Sequence, residues 1–207
     1  MTGAGWSVRG GGASLMAELR KEAYGPLGDS AHHRAYEDLE ARFHALPRLP
    51  TDLGAVTLIV RRRADGVRET PGCVHLTPEE GVSGDGWSRR PPRQIEAQLA
   101  VIRHDVAELI ANGQALTIFG DNLFVRLDIS AANLPAGSRL RVGAALVEVT
   151  PKPHNGCVKF KGRFGEAALR FVQAPATRDQ NLRGIYWKVV EPGAVGVGSV
   201  IRVLYRP

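Results

Sequence analysis

The sequence predicts a mainly β fold: a closed barrel with a few helices, preceded by a helical N-terminal extension. Three observations predict it. Short apolar and β-branched segments recur over residues 116–119, 123–127, 139–142, 145–150, 157–161, 184–190 and 200–205, each the length of a strand. Gly- and Pro-rich connectors such as Leu134-Pro135-Ala136-Gly137 and Glu191-Pro192-Gly193 separate them. Few helical patterns lie between, which favours an antiparallel barrel over a doubly wound sheet. With 207 residues, 43% hydrophobic and 23% charged, the chain is globular. It buries roughly 70% of its unfolded surface without a disulfide or metal staple.

Taken in order, residues 1–14 hold five glycines and little to bury. A first helix is expected over 14–24, with Ser14 as N-cap and Gly25-Pro26 as its stop. Tyr36, Leu39, Phe43 and Leu46 share one face of a second helix, ended by Pro47 and Pro50. Residues 1–50 thus form the extension and 51–207 the barrel domain. Residues 55–62 read as a strand, with Ala64-Asp65-Gly66 as a turn. Residues 81–87 read as a loop. Ile95, Leu99, Ile102, Val106 and Leu109-Ile110 recur at helical spacing up to Asn112-Gly113, predicting a long helix.

The net charge is +6, with all the excess in residues 51–207, and only five of the 27 basic residues are lysine. Arginine suits a bidentate grip on phosphate or carboxylate. No long basic run supports nucleic-acid binding, and Phe160, Phe164 and Phe171 are the only aromatic residues near the basic segment. No apolar run approaches the roughly 18–20 residues of a membrane span. No secretory signal is read at the N-terminus. Two cysteines make no disulfide framework, so a reducing cytoplasm is the expected compartment.

Cys157 is the first candidate for chemistry. Residues 151–170 hold five basic side chains against one acid, Glu166, and neighbouring cations favour the reactive thiolate. The alternative is a buried small hydrophobe. His154, three residues earlier, is open to three readings: a metal ligand, the base for the thiol, or a plain histidine in a turn. Cys73, beside Pro71-Gly72, reads as structural. Gly84-Asp85-Gly86-Trp87 and Gly120-Asp121-Asn122-Leu123 are either ligand-approaching glycine loops or ordinary turns. No phosphate-binding Gly-x-x-x-x-Gly-Lys motif and no Gly-x-Ser-x-Gly nucleophile motif is present.

In order, several segments resemble the MOSC family, named for the C-terminal domain of molybdenum cofactor sulfurase. They are Gly81-Val82-Ser83-Gly84-Asp85, Gln98-Leu99-Ala100-Val101-Ile102, Gly120-Asp121-Asn122-Leu123, the stretch 134–143, and Val147-Glu148-Val149-Thr150 leading to Cys157. Arg183-Gly184-Ile185-Tyr186 and the closing run 192–200 complete the set, which spans about residues 78–204. The resemblance implies a β-barrel with a pocket around one cysteine, and binding of the molybdenum cofactor. Pyridoxal phosphate binding also belongs to the family's associations. Cys157 would be the catalytic residue, as molybdenum ligand or persulfide carrier. Asp85, Asp121, Asn122, His154, Lys159 and Arg183 would bind the cofactor. The implied activity is reduction of N-hydroxylated small molecules with a separate redox partner. The alternative is a non-enzymatic sulfur carrier, fed by a cysteine desulfurase, or a small-ligand binding module. The chain departs from the family pattern in carrying His154-Asn155-Gly156, where many members have proline directly before the cysteine.

Overall fold

From residue 53 onward, period-two burial and frequent turns build the chain mostly from strands. The computed structural model describes residues 26–89 and 92–207. In chain order its strands are β1 (Leu53–Ile59), β2 (Arg61–Arg62), β3 (Arg68–Glu69), β4 (Cys73–Thr77), β5 (Gly81–Val82), β6 (Leu99–Arg103), β7 (Leu123–Arg126), β8 (Arg139–Val142), β9 (Ala145–Val149), β10 (Ile185–Glu191), β11 (Gly193–Gly196) and β12 (Val200–Tyr205). The helices are α1 (Tyr36–His44), α2 (His104–Ala111) and α3 (Val158–Val172).

Seven strands close a barrel in the order β1-β12-β8-β9-β10-β6-β7, with β7 pairing back onto β1. Every neighbouring pair is antiparallel except β6 and β7. A parallel pair needs a crossover, and α2 with the short 3-10 turn Leu116–Ile118 supplies it. Trp187, Leu99, Leu123, Val125, Leu140 and Ile201 fill the barrel. Outside it, a second apolar layer packs α1, α2 and α3 against β6 and β7 around Phe119, Phe124, Phe160, Phe164 and Phe171. The Phe119 and Phe164 rings lie 4.2 Å apart.

The mainly β barrel expected from the sequence is present, and four local expectations are corrected. Residues 95–110 are not one helix but a 3-10 turn (Ile95–Ala97), then β6, then α2. All five residues of β6 are buried. A strand covered on both faces reads as a continuous apolar run, which a helical period also matches. Residues 157–161 are not a strand. Cys157 is the N-cap of α3, whose Phe160, Phe164, Ala168 and Phe171 face the core at helical spacing. Gly165, at φ 88°, breaks α3 into two shorter helices, and that glycine weakens the helical pattern. Residues 116–119 form a 3-10 turn. The connectors around Gly81 and Gly193 contribute β5 and β11, which flank β4 in a small separate sheet. Glycine hides such strands because it brings no side chain to the alternation. The helix expected over 14–24 lies outside the described residues.

Candidate functional site

At one end of the barrel, the β2–β3 arm, the loop after β5, the turn before β7 and the segment 153–157 surround a cavity of about 470 Å³. Cys157 is exposed and lines it. Its backbone is extended (φ −132°, ψ 177°), and its carbonyl accepts from the Lys161 amide at 3.0 Å to start α3. Among the described residues, the charged lining of this cavity is wholly cationic. Seven arginine and lysine side chains face it and no carboxylate does.

The two buried acids of the glycine loops stand behind that lining and hold it in place. Asp121 is fully buried and receives both its hydrogen bonds from Arg183 Nη1, at 2.8 and 3.1 Å. Burial pushes the Asp121 carboxyl above its usual range, and Arg183 pulls it back. Arg183 in turn lies 5.0 Å over the Phe160 ring. Asp85, also buried, accepts from Arg62 through Nε (3.0 Å) and Nη2 (2.5 Å). It further accepts from the backbone amides of Arg62 (2.7 Å) and Trp87 (2.9 Å). Burial opposes charge on both groups, yet the pairing outweighs it: Asp85 sits below the usual carboxylate range and Arg62 above that of a free guanidinium.

Asn122 lines the cavity, but its amide ties strands together. It accepts from the Ala100 amide and donates to the Val60 carbonyl, both at 3.3 Å. Arg68 donates to the Thr117 carbonyl at 2.6 Å and to that of Phe119. Burial, then Arg163 and Arg62 beside it, push its guanidinium down to about 10. Arg163 is lowered by burial and by Arg183. In both, burial is the larger cause and neighbouring guanidinium charge adds to it. Arg62 and Arg68 were not singled out in the sequence. The run Arg61-Arg62-Arg63, with Arg68 across a turn, was the available signal.

His154 lies between the cavity and the barrel wall, its side chain 6% exposed. Its ring stacks on Tyr186 at 4.2 Å, and its Nδ1 has no hydrogen-bond partner, with Asp121 3.7 Å away. Burial, then Arg183 and Arg62, hold its pKa well below the ordinary value, so the imidazole is neutral. The unfolded chain therefore binds a proton near pH 6.5 that the folded chain refuses, and stability falls as pH drops below that point. One such proton is worth about 1.4 kcal/mol per pH unit. The carboxylates lowered by pairing lose their contribution only nearer pH 4, and the raised Asp121 carboxyl acts in the opposite direction, so the loss that begins below about pH 6.5 is assigned to His154. His154→Phe keeps a ring against Tyr186 and should flatten urea-unfolding stability across that window. An unchanged slope would contradict the assignment.

The sequence-predicted residues are thus brought to one end of the barrel, in two ranks. Cys157, Lys159, Asn122, His154 and Arg183 line the cavity, while Asp85 and Asp121 hold its arginines from behind. The fold and site together define a closed β-barrel with an exposed thiol beside a cationic cavity. The chain belongs to the MOSC domain family, whose model matches residues 86–202. It is similar to the solved structure of the YuaD protein from Bacillus subtilis, with a TM-score of 0.56 and 17% identity over 74% of this chain and 97% of that one. It also matches YiiM from Escherichia coli, with a TM-score of 0.49 and 21% identity over 74% and 71% of the two chains. No curated protein sequence matches.

Proposed function

We propose that this protein binds the molybdenum cofactor in the cavity of Cys157 and reduces N-hydroxylated compounds there. One observation carries the reading: an exposed thiol opens into a cavity whose charged lining, among the described residues, is wholly cationic. The donor set fits that group. Among the described residues, no cluster of three or more His, Cys, Asp or Glu side chains can hold a bare metal ion. A soft thiolate suits a metal that brings its other donors with it, as this cofactor's does. Arg62, Arg68, Lys159, Arg163 and Arg183 are the groups that would hold the cofactor's phosphate.

When bound, the cofactor supplies the two-electron chemistry. The protein's own residues hold and orient. Asp85 and Asp121 lock the arginine planes, and Asn122 keeps the cavity floor rigid. Neutral His154 offers a proton site at the edge of the cavity. Reducing an N-hydroxyl group to the amine takes two electrons and two protons and releases water. The electrons come from a separate redox protein. No described helix is long and apolar enough to cross a membrane, and two free cysteines suit the reducing cytoplasm.

The test is molybdenum and pterin content of protein made in a cofactor-competent host, wild type beside Cys157→Ser. Near-stoichiometric cofactor in the wild type and its loss in the variant are expected. A metal-free, pterin-free wild type with an intact thiol would overturn the reading. The exposure of Cys157 also suits a sulfur carrier. That second reading requires one added sulfur on Cys157 by mass spectrometry after incubation with a cysteine desulfurase.

A further inference from the structure

A second cavity, of about 560 Å³, lies on the other side of the segment that carries Cys157, with His154, Asn155 and Arg183 lining both. We propose that this second cavity is a binding site for an organic monocarboxylate. The inference goes beyond the cofactor reading and does not depend on it.

Its polar lining consists of donors and amides without a carboxylate. Arg178 stands at its edge with no ion pair or side-chain hydrogen bond among the described residues. Arg183 is nine-tenths buried. Its Nη1 is spent on Asp121, but its Nε has no partner. A buried donor left unsatisfied costs about 1–3 kcal/mol, so an anion that draws Arg183 toward it relieves that cost. The two guanidinium groups of this lining, Arg178 and Arg183, meet no carboxylate among its described residues, which favours an anion. The remaining wall is apolar, with Leu182, Val172 and Pro153. A bare inorganic anion would leave that surface wet, whereas a carboxylate with an aromatic or aliphatic body covers it. Gln173 donates to the Gly156 carbonyl at 3.0 Å, which holds the Cys157 segment as a fixed partition. A ligand bound here lies one side chain away from the cavity of the thiol.

The probe is benzoate, with benzamide as its uncharged counterpart, titrated into the ¹⁵N-labelled full chain free of cofactor. Benzoate should shift the amide signals of Asn181, Leu182 and Gly184, which line this cavity and not that of Cys157, and benzamide should not. Arg178 is exposed, so Arg178→Gln leaves the fold intact. Removing its charge-assisted bonds should weaken benzoate binding about tenfold or more. The proposal is overturned if benzoate shifts none of these signals, or if benzamide binds equally well. It is equally overturned if binding survives Arg178→Gln and is lost with Arg68→Gln, since Arg68 lines only the cavity of Cys157. None of these outcomes involves molybdenum, so failure here is separate from failure of the cofactor reading.

Discussion

Asp121→Asn is expected to destabilise the protein by about 3–5 kcal/mol, the cost of leaving one partner of a buried ion pair uncompensated. Asp121 is 0% exposed and Arg183 is 8% exposed. The amide keeps the shape of the side chain but removes the charge that answers the guanidinium. Among the described residues Arg183 pairs with no other carboxylate, and Asp85 is taken by Arg62. Urea unfolding reads the loss directly. The double variant Asp121→Leu with Arg183→Met removes both charges and should recover much of that stability, because replacing a whole buried pair by apolar groups is often close to neutral. A single variant as stable as the wild type would mean that the pair does not organise this end of the barrel.

Gly184→Ala should cost about 4 kcal/mol, combining strain at an unfavourable backbone angle with a collision. Gly184 has φ +100°, and an added Cβ would lie 2.2 Å from the Val101 carbonyl oxygen and 3.3 Å from His154 Nδ1. The position immediately precedes the start of β10, where Ile185 pairs with Val101. Relief therefore requires the strand to lift from β6, since a shift of the imidazole alone would leave the collision with the carbonyl. For a chain of this size the change corresponds to a melting temperature lower by on the order of 10 °C. Gly66→Ala is the control. Gly66 has φ +81°, but nothing lies within 4 Å of its added Cβ, so it reports angular strain alone and should cost far less. Equal losses in the two variants would dismiss the collision.

Much of the fold was legible along the chain. The strands at β7, β8, β9, β10 and β12 announce themselves through local alternation and the turns that bound them. Of the elements that were not, two show the reason best. In β6, Leu99 to Arg103 is buried on both faces, so alternation is lost and the run merges with α2. In α3, Gly162 and Gly165 mask a helix whose phenylalanines carry the true period. The site was legible in part. Cys157 and its basic neighbours lie within one short segment, and Asp121 and Asn122 within one loop. The work those acids do is not written there, since Asp121 meets Arg183 across 62 positions and Asp85 meets Arg62 across 23.

Residue order alone therefore determined a mainly β barrel, a cysteine among cations and the family that this pattern marks, because turns, periodicity and local charge are properties of neighbours. Tertiary structure decided that the two loop acids brace arginines behind the cavity, that Arg62 and Arg68 join its wall, and that a second cavity lies beyond His154 and Arg183. Those outcomes depend on which strands pair in the closed barrel. Charges far apart in the chain become neighbours only when it closes.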